Sequence, residues 1–274
     1  SNAMLVDLDY ILELNPDKLL APFLREAGLE PKAESYTNWE NSGLDGHIGG
    51  HYLTALAQMV ASANSKKADS LLTYSLNELE RAQQANANGY IGGVPGSKEL
   101  WGEISKGKID AASFSLNGKW VPLYNIHKTY AGLRDAYQIA GKVQAKAMLI
   151  KFSDWMLQVA SGLSEEQIQE LLVSEHGGLN EIFADVAKIR GEEKYLELAY
   201  KFSHQNLLKP LASNNYILNG MHANTQIPKV IGFETIATLD NNKDFHDAAT
   251  YFWDNVVNKR SVAIGGNSVR EHFH

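Results

Sequence analysis

The chain of 274 residues contains no cysteine. That absence excludes disulfides, a thiolate nucleophile and any thiolate zinc site built from this chain. Basic runs are lacking too. Lys and Arg number 25 against 32 Asp and Glu, which leaves a formal charge of −7. A nucleic-acid partner is therefore not expected, because phosphate recognition needs a basic face. No stretch approaches the ~18 consecutive apolar residues of a membrane helix, so no membrane partner is expected either. Ser1-Asn2-Ala3 ahead of Met4 reads as an expression scar, outside the fold. No signal peptide follows Met4, and cytoplasmic and exported placements both fit the composition. What is present is ordinary for a globular chain: 44% hydrophobic and 21% charged residues can bury a core.

The informative pattern is a repeat. Four segments resemble the starts of buried helices, each with a histidine near its beginning: His51, His127, His176 and His222, separated by 76, 49 and 46 residues. Polar turns at Lys66, Lys142, Lys194 and Lys243 keep similar time and open amphipathic segments. In the last, Phe245, Ala248, Ala249, Phe252, Trp253 and Val256 follow the i, i+3, i+4, i+7 rhythm of one helical face, which places Trp253 in the core with Trp155. The wide first interval is accounted for by residues 87–123, which are rich in Gly and Pro, show no helical period and predict a long functional loop.

Four helical hairpins and an N-terminal helix near Asp17–Ala27 make the expected fold all-α. A lone hairpin cannot bury its apolar faces, so the units must stack. An open α-solenoid and a closed helical toroid both satisfy this. Polar residues gathered at the starts of the inner helices favour the toroid, because a solenoid has no use for them.

In a toroid the inner helices point the same way and deliver their N-terminal ends to one face. The residues delivered include Asp45, His47, His51, Tyr124, Asn125, His127, Glu175, His176, Asn180, Glu181, His222, Asn224 and Gln226. Neutral donors and acceptors in this density suit a polyhydroxylated ligand, so a carbohydrate partner is expected. Trp39, Tyr90, Trp101 and Trp120 lie in loops at the same end and offer stacking faces. A histidine at a helix start is often purely structural; four in register weigh against that for the set. No His-x-x-x-His or His-Glu-x-x-His pattern supports a metal site, and neither a phosphate loop nor a Gly-x-Ser-x-Gly nucleophile occurs. No metal or cofactor is expected on this chain.

The segments Gly43-Leu-Asp-Gly-His-Ile-Gly-Gly-His-Tyr-Leu, Leu116-Asn-Gly-Lys-Trp-Val-Pro-Leu-Tyr-Asn-Ile-His-Lys, Glu175-His-Gly-Gly-Leu-Asn-Glu, His222-Ala-Asn-Thr-Gln-Ile-Pro-Lys and Gly265-Gly-Asn-Ser-Val-Arg-Glu-His-Phe resemble glycoside hydrolase family 127, the β-L-arabinofuranosidases. The likeness runs from about Asn15 to His274. It implies an (α/α)6 barrel, of which residues 4–274 would be the N-terminal portion, and a retaining mechanism. In that mechanism a zinc-bound cysteine attacks the anomeric carbon and a glutamate, which falls on Glu271, acts as general acid/base. The resemblance also implies sugar contacts for His127 and His222, and for His176 and Glu181. The family's zinc ligands and nucleophile belong after the acid/base segment, whereas this chain ends three residues beyond Glu271. The expected behaviour of the chain alone is therefore inactivity, with zinc confined to the intact enzyme and self-association through an open barrel edge. A non-catalytic sugar-binding toroid and a solenoid scaffold are the alternatives.

Overall fold

The computed structural model describes residues 2–274, which form two compact units, one extending to Leu163 and the other spanning Ser164–His274. In the first unit α1 (Asn2–Glu13) and α2 (Pro16–Glu26) precede two long hairpins. These are α3 (His47–Ala63) with α4 (Lys66–Asn86), and α6 (Pro122–Gln138) with α7 (Val143–Ala160); between them lie α5 (Ser97–Ile104) and the two-residue strands β1 (Ala111–Ala112) and β2 (Ser115–Leu116). The second unit holds α8 (Glu165–Leu171), the hairpin α9 (Leu179–Arg190) and α10 (Glu193–Lys201), α11 (Gln205–Ala212), and the hairpin α12 (Ala223–Asp240) and α13 (Lys243–Trp253). The chain is all-α, and the four expected hairpins are present.

One device makes every hairpin turn. The first helix ends near a residue in the left-handed region: Asn64, Gly141, Gly191 or Asn241. Glycine takes that conformation without a Cβ clash, and asparagine tolerates it best of the rest. An extended residue follows at the N-cap position of the next helix, and in the first and last hairpins its side chain caps that helix. Ser65 accepts from the Ala68 N–H at 3.2 Å, and Asn242 from that of Phe245 at 3.3 Å. Two of the four polar turns seen in the sequence carry such caps, whereas Lys142 and Glu192 make no side-chain cap bond.

The inner helices pair side by side, running in the same direction. In the first unit a Cβ added to Gly50 of α3 would stand 2.2 Å from the Lys128 carbonyl carbon of α6. In the second, a Cβ on Gly232 of α12 would stand 2.2 Å from Asn180 Oδ1 of α9. Glycine lets the backbones approach closely at the first crossing and makes room for the Asn180 side chain at the second. Outside these pairs the cores are aromatic. Tyr130 stacks on Phe152 with centroids 3.8 Å apart, and Phe183 meets Phe202 edge to face at 5.2 Å.

Asn2 and Ala3, read as an expression scar, are helical within α1. Three expectations are corrected. The segment 87–123 is not wholly loop: it contains α5, whose Leu100, Trp101 and Ile104 are buried. Its first N–H groups are capped from elsewhere, since the Glu26 carboxylate accepts from Gly96 N and Lys98 N, both at 3.1 Å. A cap 70 residues away in sequence leaves no local signature. Tyr90 and Trp101 are core residues rather than stacking platforms, buried against Trp155 at centroid distances of 4.7 and 5.4 Å. Trp253, assigned to the core by its spacing, is 62% exposed. It lines an apolar groove of about 720 Å³ with Ile231, Leu239, Phe252 and Val256. The stripe on α13 is wider than the face its neighbours cover.

Candidate active site

In the first unit, polar residues gather where α3 and α6 begin. Glu40, in a short 3-10 turn at Asn38–Asn41, is buried and accepts from the backbone N–H groups of Gly46 at 3.1 Å and Ile48 at 3.2 Å. A carboxylate at the positive end of α3 is favourably placed. It also lies 2.6 Å from Nδ1 of His47, which stands 2.8 Å from the Leu44 carbonyl. Both partners are acceptors, so the His47 proton resides on Nδ1. Asn125, at the start of α6, donates to the carbonyls of Leu44 at 2.8 Å and Asp45 at 3.0 Å, tying the two helix entries together. Asp45 accepts from Gly43 N at 3.0 Å and meets Arg25 at 3.3 Å; burial pushes its carboxyl up against the opposing pull of these partners.

His127 is buried, with its Nδ1 3.2 Å from the Lys128 ammonium, which sits 4.0 Å above the Tyr124 ring. Burial first, and then the charges of Lys128 and Arg134, hold its pKa well below the usual imidazole range. An ammonium can only donate, so Nδ1 of His127 accepts and Nε2 carries the proton. His51, one turn into α3, is open to solvent yet hemmed in by protein. Desolvation, followed by Lys128 and His47, lowers its pKa to about 4. Both imidazoles are neutral near pH 7 and suit hydroxyl groups better than anions. Trp120 packs against the backbone of Gly43 and remains half exposed, and Trp39 approaches the His47 ring at 6.2 Å. Of the four candidate aromatics these two stay accessible.

The second unit has its own cluster where α9 and α12 begin. His222 caps α12, its Nδ1 lying 2.8 Å from Thr225 Oγ1 and 3.3 Å from Thr225 N. Thr225 Oγ1 donates to Glu175 Oε1 at 3.2 Å. The chain end is stitched beside this cap. Gly220 N donates to the Phe273 carbonyl at 2.8 Å, Phe273 N to that of Met221 at 2.9 Å, and Ala223 N to that of Glu271 at 2.7 Å. Phe273 is fully buried against Phe252 and anchors the segment. Glu271, with φ at +69°, thus projects toward His222, its Oε2 3.6 Å from Nε2, while its side chain stays 81% exposed.

Behind them lies a buried layer. His176 Nδ1 stands 2.9 Å from the Ser174 carbonyl, and its ring meets that of His204 edge-on at 5.8 Å. Lys229 is buried 3.2 Å from His204 Nδ1; desolvation lowers its pKa to about 8 against the attraction of Glu175. Asn180 donates to the Lys229 carbonyl at 3.0 Å. Glu181 and Gln226 are half buried in the first turns of α9 and α12.

The sequence-predicted residues thus fall into two groups: Asp45, His51, His127 and Trp120 in one unit, and His176, Glu181, His222, Gln226 and Glu271 in the other. Sequence reasoning missed Glu40, Lys128, His204, Thr225 and Lys229 as partners. Only Lys229 carried a readable signal, standing four residues after Thr225 and so on the same helical face.

The donor set does not fit a thiolate zinc site. The sequence has no cysteine, and no group of three His, Cys, Asp or Glu side chains among the described residues is placed to hold a metal ion.

Paired inner helices whose starts carry histidines define an (α/α)-hairpin domain. The chain belongs to the β-L-arabinofuranosidase GH127 catalytic-domain family, whose profile matches residues 1–274. It is similar to the crystal structure of a GH127 β-L-arabinofuranosidase from Geobacillus stearothermophilus T6, with a TM-score of 0.64 at 16% identity. That likeness covers 95% of this chain and 42% of the other, so the chain spans less than half the length of the enzyme it matches. No curated protein matches the sequence.

Proposed function

We propose that this chain supplies the sugar-recognising and proton-donating part of a retaining β-L-arabinofuranosidase. In the second unit His222 binds the arabinofuranoside, with Gln226, His176 and Glu181 around it, and Glu271 serves as general acid/base. In the first unit His127, His51, Asp45 and the accessible indole of Trp120 offer sugar contacts of their own. The observation that carries the reading is the stitching of the 271–273 segment onto the start of α12, which leaves the Glu271 carboxyl 3.6 Å from His222 and open to solvent. A general acid needs both: a neighbour that fixes the carboxyl and free access to the leaving oxygen. Cleavage with retention also requires a nucleophile on the opposite face of the ring, about 5–5.5 Å away in carboxylate enzymes. The zinc-held thiolate expected from the family resemblance does not fit the residues here, so no step is assigned to it. The absence of any thiolate in the sequence favours sugar binding without turnover by this chain as the second reading.

The test is calorimetric titration with methyl β-L-arabinofuranoside, alongside hydrolysis of an aryl β-L-arabinofuranoside with and without zinc. Binding that weakens about tenfold or more in His127→Ala and in His222→Ala is expected, with no measurable turnover. Absence of arabinofuranoside binding by the folded chain would remove the sugar reading and leave a scaffold.

A further inference from the structure

The hydrogen bonds around His222 form a line that ends on a carboxyl. Glu175 is buried and attracts the buried Lys229 ammonium electrostatically. Thr225 Oγ1 donates to Glu175 Oε1 at 3.2 Å, so the hydroxyl proton points at the carboxyl. The Thr225 oxygen then offers only lone pairs to His222 Nδ1 at 2.8 Å, and that short contact is a hydrogen bond only if Nδ1 carries the proton.

We propose that Thr225 and Glu175 are positioning residues that fix His222 in the Nδ1–H tautomer, leaving the Nε2 lone pair facing Glu271. One contact opposes this. The backbone N–H of Thr225 points at Nδ1 from 3.3 Å and, as a helix cap, would prefer a bare nitrogen there. The 2.8 Å contact outweighs the 3.3 Å one, because hydrogen-bond strength falls off with length. A bare Nε2 can only accept, so it offers Glu271 a place to take up or release a proton when the 3.6 Å gap closes. The same nitrogen carrying a proton would instead donate to the carboxylate. The tautomer thus decides whether Glu271 faces an acceptor or a donor. Its role in catalysis rests on the proposed function; the tautomer itself does not.

The experiment is a long-range 1H–15N correlation spectrum of the full chain labelled at its nine histidines, with His222 assigned through His222→Gln. At neutral pH the parent and Thr225→Ser should show the proton on Nδ1 of His222. Thr225→Val should move it to Nε2, and Glu175→Gln should shift it partly the same way. Unchanged signals from the other eight histidines separate this effect from general loosening of the fold. A parent signal with the proton on Nε2 overturns the proposal, as does a folded Thr225→Val that keeps it on Nδ1. If Thr225→Val does not fold, an unchanged Glu175→Gln spectrum overturns it equally. Arabinofuranoside titration of the same samples keeps the two readings apart: lost binding with an Nδ1–H tautomer sinks the sugar site alone.

Discussion

Gly132 of α6 lies against Gly50 of α3 so closely that a Cβ on Gly132 would stand 2.5 Å from the Gly50 carbonyl oxygen. The contact is between backbones, which cannot step aside as a flexible side chain can. It sets how near the starts of the two helices, with His51 and His127, come to one another.

Gly50→Ala should therefore destabilise the protein even though alanine is the better helix former. The propensity gain is up to about 1 kcal/mol, against an overpacking cost of about 1–3 kcal/mol that no rotamer change relieves. Gly102→Ala in α5 is the control, because an added methyl meets nothing within 4 Å there. Thermal melts should show the first falling by several degrees and the second holding or rising.

Glu26→Ala should uncap α5. The carboxylate accepts from Gly96 N and Lys98 N, and losing a cap of this kind costs about 1–2 kcal/mol. Hydrogen exchange should quicken at those two amides well before the rest of the unit. Unchanged protection there would show that solvent caps α5 equally well.

Stability should fall as the solution is acidified from neutrality. His204 and His51 have folded pKa values of about 3 and 4, both depressed mainly by desolvation, and His127 is depressed as well. Between those values and the ordinary 6.5 the unfolded chain binds more protons than the folded one. The contribution of these histidines is thus complete above about 6.5 and declines as pH drops toward the folded values. Urea midpoints at pH 7.5, 6 and 5 should descend, and His204→Gln should flatten part of that slope.

Trp120→Ala should weaken arabinofuranoside binding by about 5–20-fold while leaving the melting temperature within about a degree, because the indole is half exposed and stands beside a residue with no side chain, Gly43. Intrinsic fluorescence of the parent should change on sugar addition, and that change should shrink in the variant.

The groove beside Trp253 should bind a hydrophobic dye, since Ile231, Phe252 and Val256 line it with little polar surface between them. Trp253→Glu should reduce the dye signal severalfold. An unaltered signal would locate the exposed apolar surface elsewhere.

Much of the helical frame was legible because it rests on local signals. The caps at Ser65 and Asn242 and the turn residues Gly141 and Gly191 act within a few positions of the helices they bound. The stripe Phe245, Ala248, Ala249 and Phe252 is a matter of helical pitch. The same pitch misplaced Trp253, since periodicity says which residues share a face and not how much of that face a neighbour covers. The site was legible in part: His127 and His222 announce themselves by type and position. Their partners Lys128 and Thr225 look ordinary in sequence, and Glu175, though singled out by position, carries no sign that it would meet Thr225.

By itself, the sequence determined that the chain is all-α, that it folds as hairpins with polar inner starts, and that no thiolate chemistry is available to it. Tertiary structure alone decided that Glu26 caps α5, that Tyr90 and Trp101 are core, and that Glu271 reaches His222. The division has one cause. Turns, caps and helical faces are short-range properties of the backbone, whereas burial and proton placement depend on which distant residues share a volume of low polarity.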